Sequence, residues 1–354
     1  MRNKKSVAIV TIYSEVNYGN RLQNYAVQKC LEKWGYRAES IVCVKPYSVL
    51  TKIKKNVKIV LTVVLPGIIK NKKPDYLRNQ NFCNFTKKYI PTRYIKSINN
   101  TFSPKIGNQY DIFVIGSDQV WNPCFGDFEN LYENMFLMFA PDEKKRCFSP
   151  SFGVAEIPDE WRHRFKEGLA TFPSINVREE SGINIVKELT GKDAASTIDP
   201  TLMLDASEWI KVAKPVKGLP DEYVLDYFLG ETPSENSEYM SIQKHGEKRI
   251  KLLDKSNPDI YVSGPSEFIY LISRANVVCT DSFHACVFSI LFEKPFMVFK
   301  RNDGNNNMLT RIETLLNLFD INLEDNLEKK IIISKEKVDD ILKKRRSELE
   351  TYFK

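Results

Sequence analysis

Unbroken apolar runs alternate with amphipathic ones along most of this chain. "SVAIVTI" is a continuous, largely β-branched stretch of the kind buried on both faces of a parallel sheet. The loop "YSEVNYGN" follows. In "RLQNYAVQKCLEKWGY", Leu22, Tyr25, Ala26, Leu31 and Trp34 fall near helical spacing, and Gly35 stops the run as a residue just past a helix does. "RAESIVCV" reads as the second strand. The opening is therefore βαβ, with a Gly/Asn loop at the carboxyl end of the first strand, where open α/β sheets bind ligands.

The alternation continues. Ile112 to Ile115 form a buried strand running into Gly116-Ser117-Asp118-Gln119, and "RCFSPSFG" is a strand ending in small polar residues. "PDEWRHRFKEGLATF" predicts a helix opened by Pro158 with acids in its first turn. "SINVREESG" gives a short strand ending at Arg178 with a helix after it, and "TIDPTLML" a strand and turn. Between about Val212 and Glu222, "VAKPVKGLPDE" is the best linker candidate. The pattern then restarts: strand "YVLDYFL", a helix near 234–245, a weak strand near "DIYV", helix "PSEFIYLISRA", strand "NVVCT" and loop "DSF". Helix "HACVFSILFEK", strand "PFMVF", loop "KRNDGNNN" and helix "MLTRIETLLNLF" follow, then a charged terminal helix. The expected fold is α/β, with two Rossmann-like domains at 1–212 and 219–330, a helix at 334–354, and a ligand cleft between parallel sheets.

At 354 residues the chain is long enough for two domains that each bury a core. The formal charge of +7 is unevenly spread. Lys52, Lys54, Lys55 and Lys58 precede an apolar run from Ile59 to Ile69, and Lys70, Lys72 and Lys73 follow it. That run is shorter than the ~20 residues of a spanning helix and contains Pro66-Gly67, so it does not cross a bilayer. Two readings of this 52–73 segment stand: a buried helix or hairpin with solvated lysines, or a peripheral contact with the inner leaflet. The patch suits anionic partners, yet it lacks interleaved aromatics and any signature motif, so nucleic acid is not expected. Seven scattered cysteines without CxxC or paired Cys/His spacing indicate neither a disulfide framework nor a metal site. With no signal-type cleavage site after the first apolar run, a cytoplasmic location is expected.

Candidate chemistry gathers at the strand ends. In "TDSFHACVFS", His284 sits where a short loop meets a helix that Asp281 or Ser282 would cap, with first-turn N–H groups facing any bound anion. It reads either as an acid–base group or as a core histidine in a capping turn; His163 and His245 read as surface residues. Arg178 either forks onto an anion in the cleft or pairs with Glu179 and Glu180. "NYGN" offers Gly19 for close backbone approach and Asn17 and Asn20 for hydrogen bonding, but lacks the three-glycine dinucleotide fingerprint. "GSDQVWNP" groups Ser117, Asp118, Gln119 and Asn122, and reads either as a sugar site walled by Trp121 or as a turn with a core tryptophan. Arg301 and Arg311 reach the same cleft if the loop after "PFMVF" folds over it.

Taken in order, "NYGNRLQNYAVQKCLEKWGY", "VIGSDQVWNP", "SFG", "VREESG", "DPTLML" and "TDSFHACVFSILFEKPFMVF" resemble the polysaccharide pyruvyl transferase family, from Asn17 to about Phe319. The resemblance implies a GT-B-like fold and transfer of pyruvate from phosphoenolpyruvate onto a sugar as a ketal, with no resident cofactor. It implies His284 as catalytic acid or base and Arg178 as a donor-holding residue. Many members carry arginine two residues before this histidine, where the chain has Ser282; Arg301 or Arg311 is then expected to supply the charge beside Ser282 and Asp281. The acceptor is expected to be a saccharide, lipid-linked through undecaprenyl pyrophosphate if the 52–73 segment meets the inner leaflet. A nucleotide-sugar glycosyltransferase and a catalytically silent carbohydrate-binding protein are the alternative readings.

Overall fold

The computed structural model describes residues 4–13, 16–46, 73–126, 128–233, 237–242, 247–301 and 307–353. The basic apolar segment therefore lies outside the described residues, except for Lys73, and so does His245.

The first sheet has the order β3-β2-β1-β4-β5, all parallel: β1 (Ser6–Val10), β2 (Arg37–Val44), β3 (Thr92–Lys96), β4 (Ile112–Ile115) and β5 (Lys145–Cys147). A two-stranded parallel ribbon follows, β6 (Ile175–Val177) with β7 (Ala194–Ser196). In the second sheet β8 (Tyr223–Tyr227), β9 (Lys248–Lys251), β10 (Val277–Thr280) and β11 (Phe296–Val298) are parallel. β12 (Lys330–Ile331) joins the edge antiparallel, giving the order β12-β11-β10-β8-β9. β1, β4, β8 and β10 are buried at every residue, as largely apolar strands at the centre of a parallel sheet are.

In each sheet the chain reverses its winding beside the first strand, between β1 and β4 in one and between β8 and β10 in the other. Crevices open at such switch points beyond the carboxyl ends of the strands. Here the two crevices meet, and the architecture is GT-B-like: two Rossmann-like sheets facing each other across a cleft.

Helix α1 (Tyr18–Lys33) begins earlier than the sequence pattern suggests, because the Asn17 side chain accepts from Asn20 N at 2.9 Å and turns "NYGN" into a capped first turn. Its first residue docks on the other half of the molecule. Tyr18 stacks on Phe268 of α4 (Pro265–Arg274), with centroids 4.5 Å apart, and donates to Ser263 O at 2.7 Å. Between α1 and α4 lie α2 (Lys73–Tyr89) and α3 (Glu180–Thr190), followed beyond α4 by α5 (Phe283–Leu291), α6 (Asn307–Asn317) and α7 (Lys335–Phe353). One apolar cluster runs from Val7 and Leu22 through Phe268 and Val287 to Phe353, so the halves share a core. α7 returns to the N-terminal half, where Arg346 donates from Nε to Leu202 O at 2.7 Å and Phe353 packs on Trp34.

One local expectation is overturned. "DIYV" is not a strand: Pro258–Tyr261 is helical, with the proline in its first turn where a missing N–H costs nothing, and the neighbouring strand is Lys248–Lys251 instead. Of the helix expected near 234–245, Ser237–Ser241 is helical, and 234–236 and 243–246 lie outside the described residues. No described helix is long and apolar enough to cross a membrane.

Candidate active site

A cavity of about 220 Å³ occupies the meeting of the two crevices. Asn17 and Gly19 reach it from beyond β1, Asp118 and Gln119 from beyond β4, Leu229 from beyond β8, Ser282 and His284 from beyond β10, and Arg301 and Arg311 from the last loop and α6.

His284 lies on the first turn of α5, 8% exposed. Its ring rests on the backbone of α1: a Cβ built on Gly19 would sit 2.0 Å from His284 Nδ1. The expected close approach at Gly19 is thus to the histidine ring. His284 Nε2 is 3.8 Å from Asp199 Oδ2. Asp199 is fully buried. Its Oδ2 accepts from Arg178 Nη1 at 2.7 Å and from Ser117 Oγ at 3.3 Å, and its Oδ1 accepts from Thr201 N and Oγ1 at 2.9 and 2.5 Å. Burial holds His284 below its ordinary pKa of 6.5, with Arg178 and Arg311 adding to the effect while Asp199 and Asp118 oppose it. At neutral pH the imidazole is therefore uncharged. For Asp199, His284, Arg178 and Thr201 outweigh burial and hold the carboxyl below its usual range.

Arg178 does not line the cavity. It is 4% exposed and sits behind Phe283, with its guanidinium carbon 4.7 Å from that ring, bonded to Asp199 and 3.8 Å from Glu179. Burial works against its charge, but Asp199, Glu179 and Asp118 together keep its pKa raised. Glu179 is held by Ser151 Oγ at 2.7 Å and Gly153 N at 2.9 Å, which ties the end of β6 to the "SFG" turn. Arg178, Arg311 and Arg345 line a separate small chamber of about 30 Å³.

Arg311 does face the cavity. Burial and the neighbouring Arg178 push its pKa down to about 10, and Nη1 lies 3.9 Å from Asp118 Oδ1. Asp118 holds a left-handed backbone (φ 75°), and its Oδ2 accepts from Asn20 Nδ2 at 3.2 Å. Arg301, at the end of β11, donates from Nε to Asp281 Oδ2 at 3.0 Å. Asp281 also accepts from Leu229 N and Gly230 N, both at 2.8 Å, so its carboxylate clamps the loops after β8 and β10 and aims Arg301. Ser282 is the N-cap residue of α5 but makes no side-chain capping bond, and it lines the cavity beside both arginines.

Of the residues singled out from the sequence, Asn17, Gly19, Asp118, Gln119, Ser282, His284, Arg301 and Arg311 come together on the cavity wall. Asn20, Ser117, Arg178 and Asp281 stand behind them as supports. Trp121 is fully buried, stacked on Phe136 and donating to Met135 O, so it belongs to the core. Asp199, Phe283, Tyr227 and Phe125 were not singled out; Asp199 alone had a local signal, its place in an Asp-Pro turn after a strand. His163 is exposed beside Glu167.

The fold and site define a GT-B-like α/β protein whose inter-sheet cleft carries one histidine and two arginines suited to an anion. A model of the polysaccharide pyruvyl transferase family matches residues 17–303, and the chain belongs to that family. Members are transferases acting on polysaccharides. No protein with a curated description matches the chain. Among solved structures, an uncharacterised Klebsiella pneumoniae protein is 14% identical, with 92% of this chain and 93% of that one covered and a TM-score of 0.45. UDP-N-acetylglucosamine 2-epimerase from Rickettsia bellii is 8% identical (99% and 97% covered, TM-score 0.47). The Neisseria meningitidis UDP-GlcNAc 2-epimerase, solved with UDP-GlcNAc, is 12% identical (98% and 99% covered, TM-score 0.44).

Proposed function

We propose that this protein transfers pyruvate from phosphoenolpyruvate onto a saccharide as a ketal, using His284 for proton transfer. The observation that carries the reading is the placing of His284, Arg301 and Arg311 around one cavity at the meeting of the two switch points. Two guanidiniums at a helix N-terminus suit a multiply charged phosphate ester. An anion arriving there relieves the burial cost that depresses Arg311, and its charge raises the affinity of His284 for a proton.

The scheme balances without a metal or resident cofactor. The His284 imidazolium gives its proton to the donor's methylene carbon, and the resulting cationic C2 is attacked by one acceptor hydroxyl, whose proton returns to His284. The C2–O bond to phosphate then breaks, phosphate leaves with the electron pair, and a second hydroxyl closes the ketal, losing its proton to the departing phosphate. Preorganised arginines act on the charge moving to phosphate. Ser282 stands where many family members have arginine; in this scheme Arg311 and Arg301 supply that charge. Arg178 acts through Asp199. The basic 52–73 segment is the argument for an acceptor linked to undecaprenyl pyrophosphate at the inner leaflet.

Phosphoenolpyruvate in excess is expected to raise the thermal unfolding midpoint, the stabilisation reaching ~2.7 kcal/mol at 100 times the dissociation constant. Arg311→Gln should abolish the rise. No rise in the wild type, or a rise with UDP in its place, would overturn the donor assignment. Gly19→Ala should cut turnover by ~10²-fold through displacement of the His284 ring, with the circular dichroism spectrum unchanged; wild-type turnover would show that the ring position is immaterial.

A further inference from the structure

Among the described residues the cavity wall holds one carboxylate, Asp118, beyond β4 where the winding of the first sheet reverses. The scheme above gives it no part. Its backbone lies in the left-handed region at φ 75°, a conformation that costs energy for residues other than glycine and that Asn and Asp tolerate best. Two bonds to its carbonyl oxygen enforce this, from Val120 N at 2.8 Å and Ser151 N at 2.9 Å, so the turn after β4 and the "SFG" turn hold the residue together. Its side chain is 15% exposed, whereas that of Asp199 is fully buried, which makes Asp118 the acid a ligand can reach. Oδ2 accepts from Asn20 Nδ2, but Oδ1 meets Arg311 Nη1 only at 3.9 Å, beyond hydrogen-bond reach, and is placed to accept from a ligand hydroxyl. Burial favours the neutral acid, yet Arg178, His284, Arg311 and Asn20 outweigh it and keep the Asp118 carboxyl below its usual range.

Resting on the transfer reading above, we propose that Asp118 is a second catalytic residue, the base that takes the proton of the hydroxyl closing the ketal and carries it to the departing phosphate. The need arises from the geometry at C2. A hydroxyl that attacks from the side opposite the breaking C2–O bond releases its proton away from phosphate, so a carrier must join the two. As that hydroxyl oxygen bonds to C2, the C2–O bond to phosphate breaks with its electron pair and the proton passes to Asp118 Oδ1. The carboxylic acid then gives the proton to the more basic phosphate oxygen, which restores the carboxylate. Arg311 links the two ends of this path, because the guanidinium assigned to the phosphate is also the one beside Asp118 Oδ1. A donor anion draws on the charge of Arg311 and removes part of what keeps Asp118 ionised, so the base gains proton affinity only once the donor is in place. His284 then serves the methylene carbon and Asp118 the second hydroxyl.

Asp118→Asn separates this role from a structural one. Asparagine adopts the left-handed backbone, and its amide oxygen can still accept from Asn20, so the unfolding midpoint should hold. Phosphate release from phosphoenolpyruvate is followed on the full chain with water alone and with methyl glycosides of glucose, galactose and mannose as acceptor probes. With water alone the same base acts on the hydroxyl left at C2 as pyruvate forms. Release is expected to fall ~10²- to 10⁴-fold in Asp118→Asn. The midpoint rise with phosphoenolpyruvate should be as large as in the wild type or larger, because Arg311 loses a competing carboxylate. Asp118→Gly keeps the backbone and opens space for a small carboxylate, and added formate should raise its rate about tenfold where chloride at equal ionic strength does not. Wild-type release in Asp118→Asn, or a loss that formate does not rescue in Asp118→Gly, would overturn the proposal. So would disappearance of the donor-induced midpoint rise in Asp118→Asn, which would make the residue part of the donor site. Absence of both the midpoint rise and phosphate release in the wild type would instead sink the transfer reading itself.

Discussion

Replacing His284 with alanine is expected to lower turnover by ~10²- to 10⁴-fold, the usual contribution of a positioned proton-transfer group, without loss of fold. The ring is held between Gly19 and Asp199 and makes no hydrogen bond through Nε2, so its removal leaves a small void and no orphaned partner. The charge state gives the experiment a second readout. Before donor binding His284 is neutral at pH 7, its pKa held below the ordinary value by burial. Donor binding brings negative charge to it and raises that pKa, so calorimetry at pH 7 in buffers of differing ionisation enthalpy should show proton uptake in the wild type and none in His284→Ala. The same depression links His284 to stability. The unfolded chain binds the proton first as pH falls through 6.5, so this group's contribution is present above that pH and is lost on acidification. Turnover in His284→Ala equal to wild type would remove the residue from the mechanism.

The parts of this fold that were readable in the sequence are those whose burial is uniform. β1, β4, β8 and β10 are covered on both faces, so their residues are mostly apolar, and Ile112–Ile115 in the structure has the bounds the pattern predicts. Edge elements carry no such signal. β3 has three exposed residues of five and reads as loop, and α2 has only four buried side chains in seventeen residues. At the site, residues beside strand ends were legible because topology puts ligands there: His284, Arg301, Arg311 and Asp118. The supports were harder. Whether an aromatic next to a polar turn lines a cavity or fills the core depends on where the chain goes afterwards. Trp121 turns inward onto Phe136 and Phe152, while Phe125, four residues later, is left at the lip. Asp199 and Arg178 are 21 residues apart in sequence, and only the parallel ribbon of β6 and β7 brings their ends together.

That pairing underlies the second large effect. Asp199→Ala removes the carboxylate that neutralises a buried guanidinium, and breaking a buried pair in this way typically costs about 3–5 kcal/mol. The remaining neighbour, Glu179, comes no nearer than 3.8 Å, from Oε2 to Arg178 Nε, while its Oε1 is held by Ser151 and Gly153, so it offsets only part of the loss. Denaturant midpoints should fall accordingly, and the alanine chain is expected to be too unstable for kinetics to be informative. Asp199→Asn separates structure from chemistry. An amide of the same shape can still accept from Arg178 or from Thr201, so part of the scaffold stays, but the negative charge 3.8 Å from His284 Nε2 is gone. Asp199 is the largest influence raising the His284 pKa, so its neutralisation lowers that pKa further and makes the imidazolium harder to reach. The expected signature is a fall in kcat with KM for phosphoenolpyruvate little changed, and a pH dependence of proton uptake displaced to more acid values. A purely structural role would lower stability and leave kcat and the pH profile where they are, and that outcome would detach Asp199 from His284.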